Sequence, residues 1–440
     1  MEQILGAVEA AEKIRLGQIS SEQLVSVCLE QIERLEEAVQ AWAHLDPDYA
    51  LDQAREADKV LQQGRFLGPL HGVPVGIKDI IDTRDFPTED GTVLHAGRRP
   101  QSDATLVTRL KEAGAVIIGK TVTTELAVFS PGKTRNPHNL DHTPGGSSSG
   151  SAAAVACGMI PVAVGTQTNG SMIRPASFCG VYGYKPTFGH ISRHLVLPQS
   201  RPLDQVGVFG RSLEDVSLIA EALVGYDAND PDSVMQARPE LMMIQAEDPP
   251  VEPRLAFVKT PVWEQADSFT RAAFEELVDE LGESASEIPL PDMFDGAHEQ
   301  HRQIMEADLA CSFAAEYRDG SAQLSDTLKE MIERGQKVLA VDYNNAVAAR
   351  DIYYSAFDKV FEWHDAILTP ATVGEAPFGL ESTGSPMFCT IWTLCGMPAI
   401  TLPLLQGEKG LPLGVQLVGS RGDDARLLRT ARWLLNRLMQ

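Results

Sequence analysis

Three short stretches of this 440-residue sequence carry residue types that could do nucleophilic chemistry. Lys78 follows the apolar run Val73-Pro74-Val75-Gly76-Ile77. Ser147 heads the serines of Gly145-Gly146-Ser147-Ser148-Ser149-Gly150-Ser151. Ser171 closes Gly165-Thr166-Gln167-Thr168-Asn169-Gly170-Ser171. A serine hydroxyl attacks a carbonyl only when a base takes its proton, and a neutral lysine can be that base. Free lysine has a pKa of about 10.4. Burial among apolar side chains lowers it, and Val73, Val75 and Ile77 supply such a setting. Asp79 would oppose the shift if it faced the amine, but neighbours in an extended segment point to opposite faces. On residue types alone, the same serines also fit a set of tight glycine turns.

Two motifs match letter for letter and fail on physical grounds. Gly114-Ala-Val-Ile-Ile-Gly119-Lys120-Thr121 spells a phosphate loop. Its middle residues are strand formers, and the segment before it reads as a helix, so its amides would not curl round an anion. Nucleotide binding stays only as a remote alternative. Gly146-Ser147-Ser148-Ser149-Gly150 spells a nucleophile elbow, which must follow a core strand. Residues 136–144, with two prolines and two asparagines, cannot form one. His298-Glu299-Gln300-His301 is not the HExxH zinc motif and reads as an exposed polar helix segment. No other cluster has metal-ligand spacing, so no metal is expected.

Taken together, the three stretches resemble the amidase signature family of serine hydrolases, in its malonamidase-like branch. Further matches lie at Asp204-Gln205-Val206-Gly207 with Arg211-Ser212, Leu368-Thr369-Pro370, Gly396-Met397-Pro398-Ala399 and Leu411-Pro412-Leu413-Gly414-Val415-Gln416. The resemblance implies a Ser–cisSer–Lys triad. Ser171 is then the nucleophile, Ser147 the serine after a cis peptide, and Lys78 the base. Backbone N–H groups of Thr168, Asn169, Gly170 and Ser171 would form the oxyanion hole, with Gly146 and Arg174 contacting substrate. The implied activity is hydrolysis of a C–N bond of a small amide through an acyl-enzyme, without a cofactor. A carbamate (urethane) or ester hydrolase on the same triad is the alternative. An A-type subunit of an amidotransferase complex is another.

Two positions depart from the usual pattern. Asn169 stands where the family has glycine, and Arg174 lies three residues after Ser171, one later than in many members. An arginine there either forks onto a substrate carboxylate or makes a structural ion pair, and residue types do not choose between them.

Composition bounds the rest. The chain has 37 basic and 61 acidic residues, a formal net charge of −24. That charge opposes nucleic acid and anionic membranes as partners. Six scattered cysteines without a CxxC pair read as small buried hydrophobes in a reducing compartment. No signal peptide and no 18-residue apolar run is evident, so a cytoplasmic location is expected. A homodimer is left open.

These residues need elements to position them. Ser20 and Gln23 fit a capping box, with Val25, Cys28, Leu29 and Ile32 on one helical face. Residues 73–77 and 115–118 read as buried strands around a helix over 104–113. A helix with Phe274, Leu277, Val278 and Leu281 on one face follows Leu255-Ala256-Phe257-Val258. Residues 296–360 read as mostly helical, and a strand with Pro-rich loops returns over 366–418. The alternation argues α/β. The expectation is one domain with a large twisted mixed sheet flanked by helices. N-terminal helices would span about 1–65, the signature core about 66–225, and a part completing the sheet about 250–440. Loops near 129–135, 188–200 and 300–350 would line the pocket.

Overall fold

Eleven strands join into one sheet in this computed structural model, which describes residues 5–438. They are β1 (Trp42–Leu45), β2 (Pro74–Lys78), β3 (Val116–Thr121), β4 (Val162–Gln167), β5 (Tyr182–Lys185), β6 (Gln205–Gly210), β7 (Leu255–Phe257), β8 (Ala285–Glu287), β9 (Ala366–Pro370), β10 (Ala399–Gln406) and β11 (Pro412–Val418). Their order across the sheet is β1-β3-β2-β4-β6-β5-β10-β11-β9-β7-β8. β2 runs parallel to both β3 and β4, whereas β4–β6, β6–β5, β5–β10 and β10–β11 are antiparallel. The sheet is therefore mixed and flanked by helices, as expected from the alternation of elements.

β2, β3 and β4 are buried along their whole length. Strands covered on both faces read as continuous apolar runs, which is why Val-Pro-Val-Gly-Ile and Val-Ile-Ile stand out in the sequence. The parallel register sets Ile77 opposite Val164 and so brings Lys78 to the end of β4. The capping box forms in full: Ser20 Oγ accepts from the Gln23 amide at 3.0 Å, and Gln23 Oε1 accepts from the Ser20 amide at 2.8 Å. Leu24, Val25, Cys28 and Ile32 of the helix Ser21–Val39 are buried.

A second apolar cluster lies beneath the helices Ala297–Ser312, Asp326–Gly335 and Ala340–Phe361, where the Phe357 ring packs tilted against Phe294 at 4.8 Å and Trp392 at 5.2 Å between ring centres. The segment read as strand and Pro-rich loops over 366–418 is more structured than that. It holds three strands and the helix Met387–Leu394, whose residues 388–394 are buried. That helix is packed on all sides, so no helical period is visible in its sequence. Of the cysteines, Cys311 is exposed and Cys157 half-buried, against the expectation of burial; the other four are buried and all six are free. No helix among the described residues is long and apolar enough to cross a membrane.

Candidate active site

Lys78 is fully buried, and its Nζ reaches two hydroxyls, Ser147 Oγ at 2.7 Å and Thr166 Oγ1 at 2.8 Å. Burial pushes its ammonium well below the ordinary lysine range, while the carboxylate of Asp204 works the other way. Asp79 does not oppose it: its carboxylate lies 3.4 Å from Lys120 Nζ. Lys120 also donates to Ile81 O at 2.8 Å and Thr88 Oγ1 at 2.6 Å. The lysine of the phosphate-loop spelling is thus committed inside the core, in strand β3, and the amides around it belong to the sheet.

The peptide bond between Gly146 and Ser147 is cis. The other serines of that run are occupied in holding it. Ser148 Oγ donates to Thr166 O at 3.1 Å, Ser149 Oγ to Gly145 O at 2.8 Å, and Ser151 Oγ to Val164 O at 3.0 Å. Ser147 is the one that meets the lysine. Residues 136–144 form turns rather than a strand, so the elbow spelling has no elbow.

Ser171 sits in the turn between β4 and the helix Ile173–Cys179 and is 9% exposed. The side chain of Gln167 shapes this turn, its Oε1 accepting from the Met172 amide at 2.8 Å and the Ile173 amide at 3.1 Å. The amides of Asn169, Gly170 and Ser171 meet no acceptor among the described residues. A Cβ at Gly170 would sit 2.8 Å from Pro386 Cβ, so only glycine fits that close approach. Thr168 Oγ1 lies 2.6 Å from Asp204 Oδ1 and 2.5 Å from Gln199 Oε1. Burial pushes the Asp204 carboxyl up to about 6.

Arg174 is 1% exposed. Its guanidinium donates to Gly146 O at 2.6 Å, Gly384 O at 2.9 Å and Thr383 Oγ1 at 3.1 Å. It makes no ion pair among the described residues, so the structural ion pair weighed from the sequence is absent. Instead it ties the loop carrying Ser171 to the carbonyl before Ser147 and to the loop at 383–384. Burial lowers the guanidinium to about 10.

The reading of His298–His301 as an exposed segment fails for the second histidine. His301 is 2% exposed, and its Nε2 bonds to Thr168 O at 2.9 Å. The carbonyl can only accept, so Nε2 carries the proton. Burial pushes the imidazole down to about 4, keeping it neutral. A buried histidine on a charged helix leaves no sequence signal beyond its spacing, since Ile304 and Met305 share its face. No group of three or more His, Cys, Asp or Glu among the described residues is placed to hold a metal ion.

Next to this turn lies a cavity of about 370 Å3, with Asn169 and His301 on its wall. Phe129 and residues from 298 to 334 line it, in line with the segments expected near 129–135 and 300–350; none of 188–200 does, and Pro386, Met387 and Thr390 come from a segment not expected there.

Residues 23–428 match the family model described as Amidase. The A-type subunit of the glutamyl-tRNA(Gln) amidotransferase of Chloroflexus aurantiacus is 34% identical over 97% of this chain and 95% of its own. Among solved structures, one described as a vestigial protein complex revealing the evolutionary origins of an s-triazine catabolic enzyme is 27% identical, with a TM-score of 0.92 over 98% of both chains. The peptide amidase of Stenotrophomonas maltophilia is 29% identical, with a TM-score of 0.85 over 98% of this chain and 96% of that one.

Proposed function

The chain belongs to the amidase family, and we propose that it hydrolyses the C–N bond of a small amide through an acyl-enzyme on Ser171. Ser171 Oγ attacks the carbonyl carbon and gives its proton to Ser147, which passes one to neutral Lys78. The amides of Asn169, Gly170 and Ser171, with Thr168, receive the developing oxyanion. The C–N bond breaks, the amine leaves with the proton returned from Lys78 through Ser147, and water then releases the acid by the same relay. The observation that carries this reading is the buried Lys78–Ser147 contact at 2.7 Å; Ser171 closes a turn whose amides at 169–171 meet no acceptor among the described residues. Arg174 is assigned to holding the loops together: its two terminal nitrogens donate to Gly146, Gly384 and Thr383, and the whole side chain is buried. Carbamates and esters suit the same relay, because only the leaving group changes. The test is Ser171→Ala, which should abolish acyl-enzyme formation on an aliphatic or aryl amide; near-normal turnover would sink the assignment.

A second reading, an amidotransferase A-type subunit, is favoured by the likeness to the Chloroflexus aurantiacus protein over nearly the full length of both chains. The net charge of −24 opposes direct tRNA contact. Partner subunits that co-purify and stimulate glutamine hydrolysis would support it, and full amide turnover by the isolated chain would count against it.

A further inference from the structure

We propose that the cavity beside Asn169 binds an uncharged, apolar arm of the substrate, an aryl group or medium-length alkyl chain, and that it selects against acid-bearing amides. The inference rests on the acyl-enzyme reading and adds the substrate class. Its apolar walls are Phe129, Met305, Met331, Pro386 and Met387. Methionines adapt their shape to what they contact, so the walls suit a flexible or planar apolar group.

Charge is present in the lining, but it is matched. Buried Glu306 accepts from Arg302 at 2.7 Å and from Arg334 at 2.7 Å. Arg302 also pairs with Glu299, and Arg334 lies 3.9 Å from Glu330. His298 and His301 are held below their ordinary range by burial and stay neutral. A carboxylate entering here would lose its water without meeting an unpaired cation, which is costly. Arg174, the cation nearest the loops of Ser147 and Ser171 in sequence, is 1% exposed; its two terminal nitrogens donate to protein oxygens, and its Nε, buried, meets no acceptor among the described residues.

Asn169 supplies the polar contact. Its Oδ1 accepts from Thr390 Oγ1 at 2.8 Å, while Nδ2 meets no acceptor among the described residues. From residue 161 to residue 179, it alone is not buried. The family's usual glycine would offer neither the donor nor the wall. Its Nδ2 is placed to donate to a neutral oxygen on the bound arm.

The test uses fluorophosphonate probes that label the nucleophile, read as labelling rate at Ser171 by intact-mass and peptide analysis. The arms compared are methyl, phenylpropyl and an isosteric carboxyalkyl. Burying one ring should make the phenylpropyl probe about 10- to 100-fold faster than methyl. The carboxyalkyl probe should be slower than phenylpropyl by a similar factor. Met331→Trp, which fills the cavity, should narrow the phenylpropyl-to-methyl ratio. Equal rates for all arms in the wild-type protein, or a preference for the carboxylate, would overturn the proposal while leaving the nucleophile assigned. Labelling of no serine by any probe would overturn the acyl-enzyme reading and this inference with it.

Discussion

Lys78 Nζ and Thr166 Oγ1 lie 2.8 Å apart across the parallel strands β2 and β4. The lysine therefore sits between two hydroxyls, Ser147 and Thr166, with no carboxylate in contact. A site of this kind stabilises a neutral amine, because hydroxyls satisfy it without repaying the desolvation of a cation.

The first prediction is the pH profile. A base acts only when deprotonated, so kcat/KM should rise as pH passes the Lys78 pKa and then level off. Burial lowers that pKa, which puts the limb well below the ordinary lysine value of 10.5. The Asp204 anion favours the charged amine, so Asp204→Asn should move the limb to lower pH. A limb that stays put, or moves up, in steady-state profiles of this variant would separate Asp204 from Lys78.

Arg174→Ala should lower stability first. It strips donors from the buried carbonyl of Gly146, the half-buried carbonyl of Gly384 and the hydroxyl of Thr383, at about 1–3 kcal/mol for each buried group left unpaired. Turnover should fall for neutral and acid-bearing amides alike, since the loops of Ser147 and Ser171 lose their tie. Thermal melts together with KM for a matched pair of substrates check this. A selective rise in KM for the acid-bearing member would return Arg174 to substrate recognition.

His301 should act through Thr168. If the turn over 168–171 receives the oxyanion as proposed, His301→Ala, losing one hydrogen bond to the Thr168 carbonyl, should reduce kcat by roughly tenfold and change KM less. Because the imidazole titrates near 4, the profile above pH 5.5 should keep its shape. His301→Gln, which can still donate, should recover part of the loss. Equal losses in the Gln and Ala variants would leave packing as the role.

Gly150→Ala should be poorly tolerated. A Cβ there would press into the carbonyl of Ala41 and the amide of Val122, both backbone. Overpacking of this sort costs about 1–3 kcal/mol, readable as a lower urea midpoint. An unchanged midpoint would mean that the helix Ser149–Ala156 can shift away.

Much of this was legible in the sequence, and the reasons differ by residue. The strand holding Lys78 showed because it is apolar on both faces, and the helix after Ser20 because its cap is local. The helix Ser268–Leu281 keeps Phe274, Leu277 and Leu281 buried as spaced. What was hidden is non-local. The order of eleven strands is set by pairings far apart in the chain, such as Ala399 with Lys185. The partners of Arg174 come from residues 146, 383 and 384, and no spacing announces them. His301 looked polar because its helix is charged on the other side. The cavity wall at 386–390 leaves no signal, because a short helix buried on nearly every side carries no period.

The position of β10 and β11 has a consequence for synthesis. They fill the gap between β5 and β9, so before they emerge the sheet exists only as two unjoined pieces, β1 to β6 and β7 to β9. Pairings of such long sequence separation form slowly. Thr383, Gly384 and Thr390, which brace Arg174 and Asn169, also emerge late. The nascent chain carries Lys78, Ser147 and Ser171 long before it can hold them in place. Hydrolytic competence should thus arrive in one step once β10 and β11 have emerged, leaving shorter nascent chains catalytically silent.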